Sequence, residues 1–102
     1  MKKQNTTVST KLNALRKEID AADQALLAAL GTRFKSVKKV GSIKRANDLP
    51  VVQKNRWQEV VEDRLKRAKK LGVSEEFTRS LLKLIHKEAV RIQLNLKARN
   101  EK

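Results

Sequence analysis

The chain of 102 residues contains no cysteine and a single histidine, His86. The absence of cysteine excludes disulfides, thiolate metal sites and thiol nucleophiles, and it fits a reducing cytoplasm. One histidine excludes a multi-histidine metal site, so we expect neither a metal nor another cofactor. No apolar run approaches the roughly 20 residues that a membrane span needs, so we expect no membrane partner.

Aromatic residues are also scarce, with only two phenylalanines and one tryptophan. Proteins that bind single-stranded nucleic acid usually offer several stacking rings along a basic groove. In contrast, the chain is rich in positive charge, since it contains 25 Lys and Arg but only 11 Asp and Glu, which gives a net charge of +14. Such a charge attracts anions, and we expect a small anionic metabolite rather than nucleic acid. A basic helical nucleic-acid-binding module remains the non-enzymatic alternative.

The apolar pattern predicts three helices and no strand, which is an all-α fold. Leucine, isoleucine and valine recur every seven residues from Thr10, and this pattern ends before Pro50. A second helix is predicted from soon after Pro50 to Gly72, and a third follows Ser74, which is a favoured N-cap residue. We therefore predict a helical domain over residues 10–97, a disordered tail over 1–9 and a frayed tail over 98–102.

The predicted first helix is longer than a compact domain of this size needs. About 36 residues at roughly 1.5 Å each span on the order of 54 Å. One copy would leave much of this apolar stripe in water, so we predict an intertwined two-fold dimer in which the long helices pack together. The alternative is a helix that breaks at Gly31 and folds into a small monomeric four-helix bundle.

Five polar side chains fall on or beside rows that a helical bundle would fill with apolar ones. They are Arg16, Arg33, Lys44, Arg56 and Gln93. No acidic residue shares their rows, and an unpaired buried cation is costly, so a bound anion is the expected partner. Alone, each of these residues is better explained as a side chain that extends to water or bridges two helices.

Together, the five residues describe a site for a small, multiply anionic molecule. Guanidinium groups hold carboxylates by paired hydrogen bonds, a lysine adds a mobile charge, and a glutamine amide donates at any ordinary pH. The same rows offer neither paired carboxylates nor a serine–histidine relay. A reaction at this site would therefore depend on positioning and electrostatics rather than on a nucleophile or a proton shuttle.

Residues 11–96 resemble the all-helical, type II class of chorismate mutases. The motifs that carry the resemblance fall in order at matching separations: L-R-x-x-I-D at 15–20, Arg33, G-x-x-K at 41–44, P-V at 50–51, Arg56 and I-Q at 92–93. The resemblance implies a homodimer with two active sites, in a cytoplasmic enzyme of aromatic amino-acid biosynthesis. Regulation, if there is any, would come through a partner protein, because no segment is left for an effector domain.

The resemblance also implies a role for each of the five residues in converting chorismate to prephenate. Arg33 and the partner's Arg16 would hold the two carboxylates, and Arg56 would assist them. Lys44 and Gln93 would donate to the ether oxygen, where negative charge develops as the C–O bond breaks. These roles make Lys44, Gln93 and Arg33 the expected catalytic residues.

Three further substrate-binding positions depart from the family pattern. Gln53 and Trp57 stand where the family has acids that hold the ring hydroxyl, and Ala89 replaces a serine. Indole is only a donor, so Trp57 cannot accept a hydrogen bond from that hydroxyl, whereas the amide oxygen of Gln53 can. An isochorismate-pyruvate lyase of the same fold is the enzymatic alternative. His86 is expected on a helix surface or between helices.

Overall fold

Three α-helices form the chain in the computed structural model, which describes the backbone of residues 2–100 and the side chains of residues 6–96. The helices are α1 (Lys2–Ala46), α2 (Lys54–Lys70) and α3 (Glu75–Asn100). No strand occurs within residues 2–100, which confirms the predicted all-α fold. In this described part, no helix combines the length and the apolar character that crossing a membrane requires.

Helix α1 passes through Gly31 and Gly41 without interruption, so the alternative of a helix broken at Gly31 is wrong. It begins at Lys2, eight residues before the predicted start, because residues 2–9 contain no proline or glycine to end it. Helix α3 likewise continues to Asn100. The division into a domain over 10–97 and two tails stays a prediction, and residues 1, 101 and 102 lie outside the described residues.

The ends of the helices follow local signals in the sequence. After α1, Asp48 adopts the left-handed conformation with φ 54°, and the Leu49 amide donates to the Lys44 carbonyl at 2.7 Å. After α2, Gly72 adopts the same conformation with φ 77°. The Ser74 hydroxyl accepts from the Phe77 amide at 3.2 Å, which confirms that Ser74 caps α3.

The chain divides into two compact units, Met1–Arg33 and Phe34–Lys102. In the first unit, every side chain described from residue 6 to residue 29 is exposed, including apolar Ile19 at 58% and Leu26 at 50%. In the second unit, α2 packs against α3. The buried apolar residues there are Val60, Ala68, Leu82 and Ala89.

Candidate functional site

The side chains of Lys44 and Gln93 meet in the second unit, although 49 positions separate them in the chain. The Lys44 Nζ donates to Gln93 Oε1 at 3.0 Å and to the Val51 carbonyl at 2.6 Å. Helix α1 supplies the lysine, α3 supplies the glutamine, and the connection between α1 and α2 supplies the carbonyl. Both residues were predicted as site residues from their rows on the helices.

The Gln93 amide has a defined orientation. A lysine ammonium donates hydrogen bonds and cannot accept one, so the amide atom that faces Lys44 must be the oxygen. The nitrogen then faces the Ala89 carbonyl, to which it donates at 3.3 Å. Gln93 is 8% exposed, and these two contacts give the amide oxygen and the amide nitrogen one protein partner each. One N–H of the amide nitrogen is left to donate elsewhere.

Lys44 is half-buried, and burial lowers its pKa from the usual value of 10.5 because the charged form loses hydration. Its two protein partners are neutral oxygens, which solvate the ammonium without cancelling its charge. An ammonium has three N–H groups, and two of them are occupied by Val51 and Gln93. The third N–H is directed to neither of these partners, so Lys44 can still bind an anion.

A cavity of about 360 Å³ adjoins this pair of side chains. Its lining comes from the end of α1, the connection 47–53 and α3, and includes Gly41, Lys44, Arg45, Asp48, Val51 and Gln93. Arg45 also joins two of these elements, because its Nη1 donates to the Leu96 carbonyl at 3.2 Å. The cavity has a volume in the range of small-molecule sites.

Arg56, at the start of α2, is mostly exposed and lies 3.5 Å from the carboxylate of Glu59. The expectation that no acidic residue neutralises the five-residue set is therefore wrong for Arg56. Residues three apart on a helix are neighbours, and this spacing could have been recognised in the sequence. An exposed pair of this kind is weak, about 0–1 kcal/mol, so Arg56 can exchange Glu59 for another anion.

Gln53 and Trp57, two of the three positions that depart from the family pattern, differ in their surroundings. Gln53 is the exposed N-cap residue of α2, and its side chain makes no capping hydrogen bond. Trp57 stacks on His86 with ring centroids 4.1 Å apart, which confirms that His86 lies between helices. Trp57 also lines a separate cavity between α2 and α3, of about 570 Å³, rather than the cavity beside Lys44.

The remaining two cations belong to the first unit. Arg16 is exposed and Arg33 is half-buried. Ala89 is buried, and its backbone carbonyl rather than its side chain contacts Gln93. The structure thus brings Lys44, Gln93 and Ala89 together, and it describes Arg16 and Arg33 only within their own unit.

Two features of the site were not predicted. The Val51 carbonyl is a backbone group that every residue carries, so no residue type marks it. The left-handed conformation of Asp48 is rare outside glycine, asparagine and aspartate, and its signal was the Asn-Asp-Leu-Pro stop that ends α1. No group of three or more metal-ligating side chains lies close together within the described residues.

Comparison with known proteins shows which family the chain resembles. The family model of chorismate mutase type II matches residues 15–94. A 4-amino-4-deoxychorismate mutase of Streptomyces pristinaespiralis is 35% identical over 80% of the chain, and the match covers 64% of that relative. The T-protein of Enterobacter agglomerans is 35% identical over 76% of the chain, which is 21% of its own length.

A bifunctional chorismate mutase/prephenate dehydratase of Aquifex aeolicus (strain VF5) is 36% identical over 83% of the chain. That match covers 23% of the relative. The chain thus spans less than two thirds of the length of each of these three proteins.

Proposed function

Because the chain belongs to the chorismate mutase type II family, we propose that it catalyses the rearrangement of chorismate to prephenate. The observation that carries this proposal is the Lys44–Gln93 contact beside the cavity. It unites a charged donor and a neutral donor, which are the two groups that the family resemblance assigns to the ether oxygen. We place this reaction in the biosynthesis of aromatic compounds, in the cytoplasm.

The reaction breaks the C–O bond of the enolpyruvyl ether and forms a C–C bond within the same molecule, with no proton transferred. Negative charge grows on the ether oxygen as the C–O bond lengthens. The third N–H of Lys44 and the second N–H of the Gln93 amide would donate to that oxygen. Donors that are held in place before the reaction stabilise the transition state without having to reorganise, and each is worth about 3–4 kcal/mol.

The cations would bind the two carboxylates of the substrate. We assign Arg33 and Arg56 to this role within one protomer, together with the partner's Arg16. Holding both carboxylates would keep the flexible enolpyruvyl arm over the ring and reduce the entropic part of the barrier. The net charge of +14 would increase the rate at which a dianion arrives at the site.

A second candidate substrate carries an amino group in place of the ring hydroxyl. It is supported by the similarity to a 4-amino-4-deoxychorismate mutase and by the side chains of Gln53 and Trp57. Trp57 is engaged by His86, whereas the Gln53 side chain makes no capping bond. A neutral amide oxygen accepts from either –OH or –NH₂, so Gln53 is compatible with both molecules.

The decisive experiment follows the ultraviolet absorbance of chorismate at micromolar enzyme, in parallel with the amino analogue and with isochorismate. We expect loss of chorismate and formation of prephenate well above the uncatalysed rate, with a rate about 10²–10³-fold lower for the Lys44→Ala variant. Absence of turnover on chorismate would overturn the proposal. Greater kcat/KM on the analogue would establish the second candidate, and salicylate from isochorismate would establish the lyase.

We also propose that two copies of the chain form each pair of active sites. The exposed apolar side chains of the first unit, such as Ile19 and Leu26, support this assembly because they would be covered in a dimer. Mixing inactive Arg16→Ala and Lys44→Ala subunits should restore about a quarter of the activity, since half of the dimers regain one intact site. A mixture that forms heterodimers and stays inactive would contradict the partner's Arg16 as a ligand.

A further inference from the structure

Gly41 has no room for a side chain because α3 lies directly against it. A Cβ atom built on Gly41 would lie 2.8 Å from Gln93 Cγ and 3.2 Å from Leu96 Cδ1. Carbon atoms that are not bonded prefer separations of about 3.5–4.0 Å, so the contact with Gln93 is too short to be tolerated without movement. Gly41 is itself buried, so an added side chain would have to displace Gln93 or extend towards the cavity that both residues line.

Gly31, which lies in the same helix, provides the contrast. A Cβ atom built there meets no atom within 4 Å. Glycine in a helix interior is less favourable than alanine, since the backbone of glycine has more freedom to lose on folding. Helix propensity therefore favours alanine over glycine at both positions. Of the two, only Gly41 has a tertiary contact that an alanine side chain would disturb.

The atom that opposes a side chain at Gly41 belongs to the candidate site. Cγ of Gln93 carries the amide that accepts from Lys44 at 3.0 Å and donates to Ala89 at 3.3 Å. Gly41 and Lys44 are three residues apart, so they lie on the same face of α1. A shift of Cγ by a few tenths of an ångström would be carried to the amide and would disturb both hydrogen bonds.

We propose that Gly41 is a positioning residue for Gln93, because its missing side chain lets the Gln93 amide reach Lys44 and aim its nitrogen at the cavity. This inference rests on the proposed mutase function for its catalytic consequence. The packing that it describes stands independently of that function. Gly41 would act on the reaction through the position of the Gln93 amide, so its replacement should affect turnover more than substrate capture.

The first test compares Gly41→Ala with the matched control Gly31→Ala. We expect Gly41→Ala to lower kcat by about 10- to 100-fold with KM changed much less, as for a misplaced catalytic group. Gly31→Ala should keep kcat within about twofold and should raise Tm by roughly 4 °C through its helix preference. A folded Gly41→Ala variant with the kcat of the original chain would overturn the proposal.

The second test measures Tm in a double-mutant cycle of Gly41→Ala and Gln93→Ala, and it requires no activity. Gly41→Ala should lower Tm in the original chain, but it should raise Tm in the Gln93→Ala background, where Cγ is absent. If Gly41→Ala lowers Tm equally in both backgrounds, the steric clash is with Leu96 rather than with Gln93, and the proposal is overturned.

The two measurements also separate this inference from the proposed function. An original chain without mutase activity would remove the catalytic role, while the cycle would still decide whether Gly41 makes room for Gln93. If Gly41→Ala alone does not fold but the double variant does, the steric contact with Gln93 is established. If neither folds, whereas Gln93→Ala does, Gln93 is not the obstacle and the proposal fails.

Discussion

The two connections between helices end their preceding helix in the same way but with different residues. In the first, the Leu49 amide donates to the Lys44 carbonyl at 2.7 Å, and in the second the Val73 amide donates to the Ala68 carbonyl at 2.9 Å. Each therefore contains a hydrogen bond from a residue to the carbonyl five positions earlier, which is the Schellman arrangement. The left-handed residue is Asp48 in the first and Gly72 in the second.

The next helix also starts differently in the two connections. Ser74 caps α3 through its hydroxyl, and Glu75 and Glu76 occupy the first turn, where the helix dipole favours acids. At the start of α2, Gln53 makes no side-chain cap and the first turn contains no acid. The second connection thus has the locally preferred residue at both ends, whereas the first has it at neither.

The connection without the locally preferred residues is the one that adjoins the candidate site. The first connection lines the cavity, and its Val51 carbonyl accepts from Lys44 at 2.6 Å. The residue of α2 that corresponds to Lys44 is Ala68, which is simply buried in the core. We infer that the residues of the first connection serve the site at some expense of local stability, as is common where function constrains a sequence.

The largest expected effect comes from removing the lysine that distinguishes the two connections. Lys44→Ala should lower kcat by about 10²–10³-fold, since it removes a donor to the ether oxygen. Lys69→Ala, an exposed lysine near the end of α2, is the matched control and should stay within about twofold. Steady-state kinetics on chorismate provide the measurement. Equal effects of Lys44→Ala and Lys69→Ala on kcat would contradict the assignment of the site to the first connection.

The second prediction concerns alkaline pH, where Lys44 loses its proton. Because burial lowers the Lys44 pKa below 10.5 in the chain without substrate, kcat/KM should begin to fall below pH 10.5 and should decrease further as pH rises. Between the lowered pKa and 10.5, the unfolded chain binds more protons than the folded one, so this group makes stability rise with pH. A pH profile of kcat/KM, with a denaturation curve at each pH to exclude unfolding, tests this. A flat profile to pH 10.5 would contradict it.

The third prediction exchanges the left-handed residues. Gly72→Ala should cost about 1–2 kcal/mol because of its φ of 77° alone, since no atom lies within 4 Å of an added Cβ. Asp48→Gly should stabilise by about 0.5–1 kcal/mol, because it relieves the same conformation in the first connection. Urea denaturation would measure both changes. A stability that falls with Gly72→Ala and rises with Asp48→Gly would support the comparison of the two connections. A destabilising Asp48→Gly would show that the Asp48 side chain is itself stabilising.

The smallest effects are expected at the N-caps. Ser74→Ala should destabilise by about 1 kcal/mol, because the Phe77 amide loses its partner. Gln53→Ser should stabilise by about 0.5 kcal/mol, since it supplies the cap that α2 lacks. If Gln53 holds the ring substituent, the same variant should raise KM. Thermal melts and kinetics on one set of samples test both, and a stabilised Gln53→Ser with unchanged KM would exclude Gln53 from binding.

Local signals predicted most of the fold. Pro50, Gly72 and Ser74 marked the helix boundaries correctly, because each acts on the few backbone groups around it. The start of α1 was misplaced by eight residues, since polar residues without proline or glycine do not end a helix. At the site, helical spacing predicted Lys44 and Gln93 on inner faces, and the structure shows a hydrogen bond between their side chains.

The contacts between helices were less predictable. The Trp57–His86 stack joins residues 29 positions apart (86 minus 57), and no pattern of spacing within one helix connects them. The 2.8 Å approach of Gly41 to Gln93 depends on how closely α1 and α3 pack, and glycine alone does not specify that distance. In the sequence, Gly41 was only part of the G-x-x-K motif at 41–44.

The sequence by itself determined the three helices, the excess of positive charge and the identity of the residues that can bind an anion. These properties depend on residue type and on neighbours within one or two turns. Only the tertiary structure decided that Lys44 donates to the Val51 carbonyl and to Gln93, and that Gly41 must remain without a side chain. Those features depend on the distances between packed elements, which arise from many contacts acting together and are not encoded at any single position.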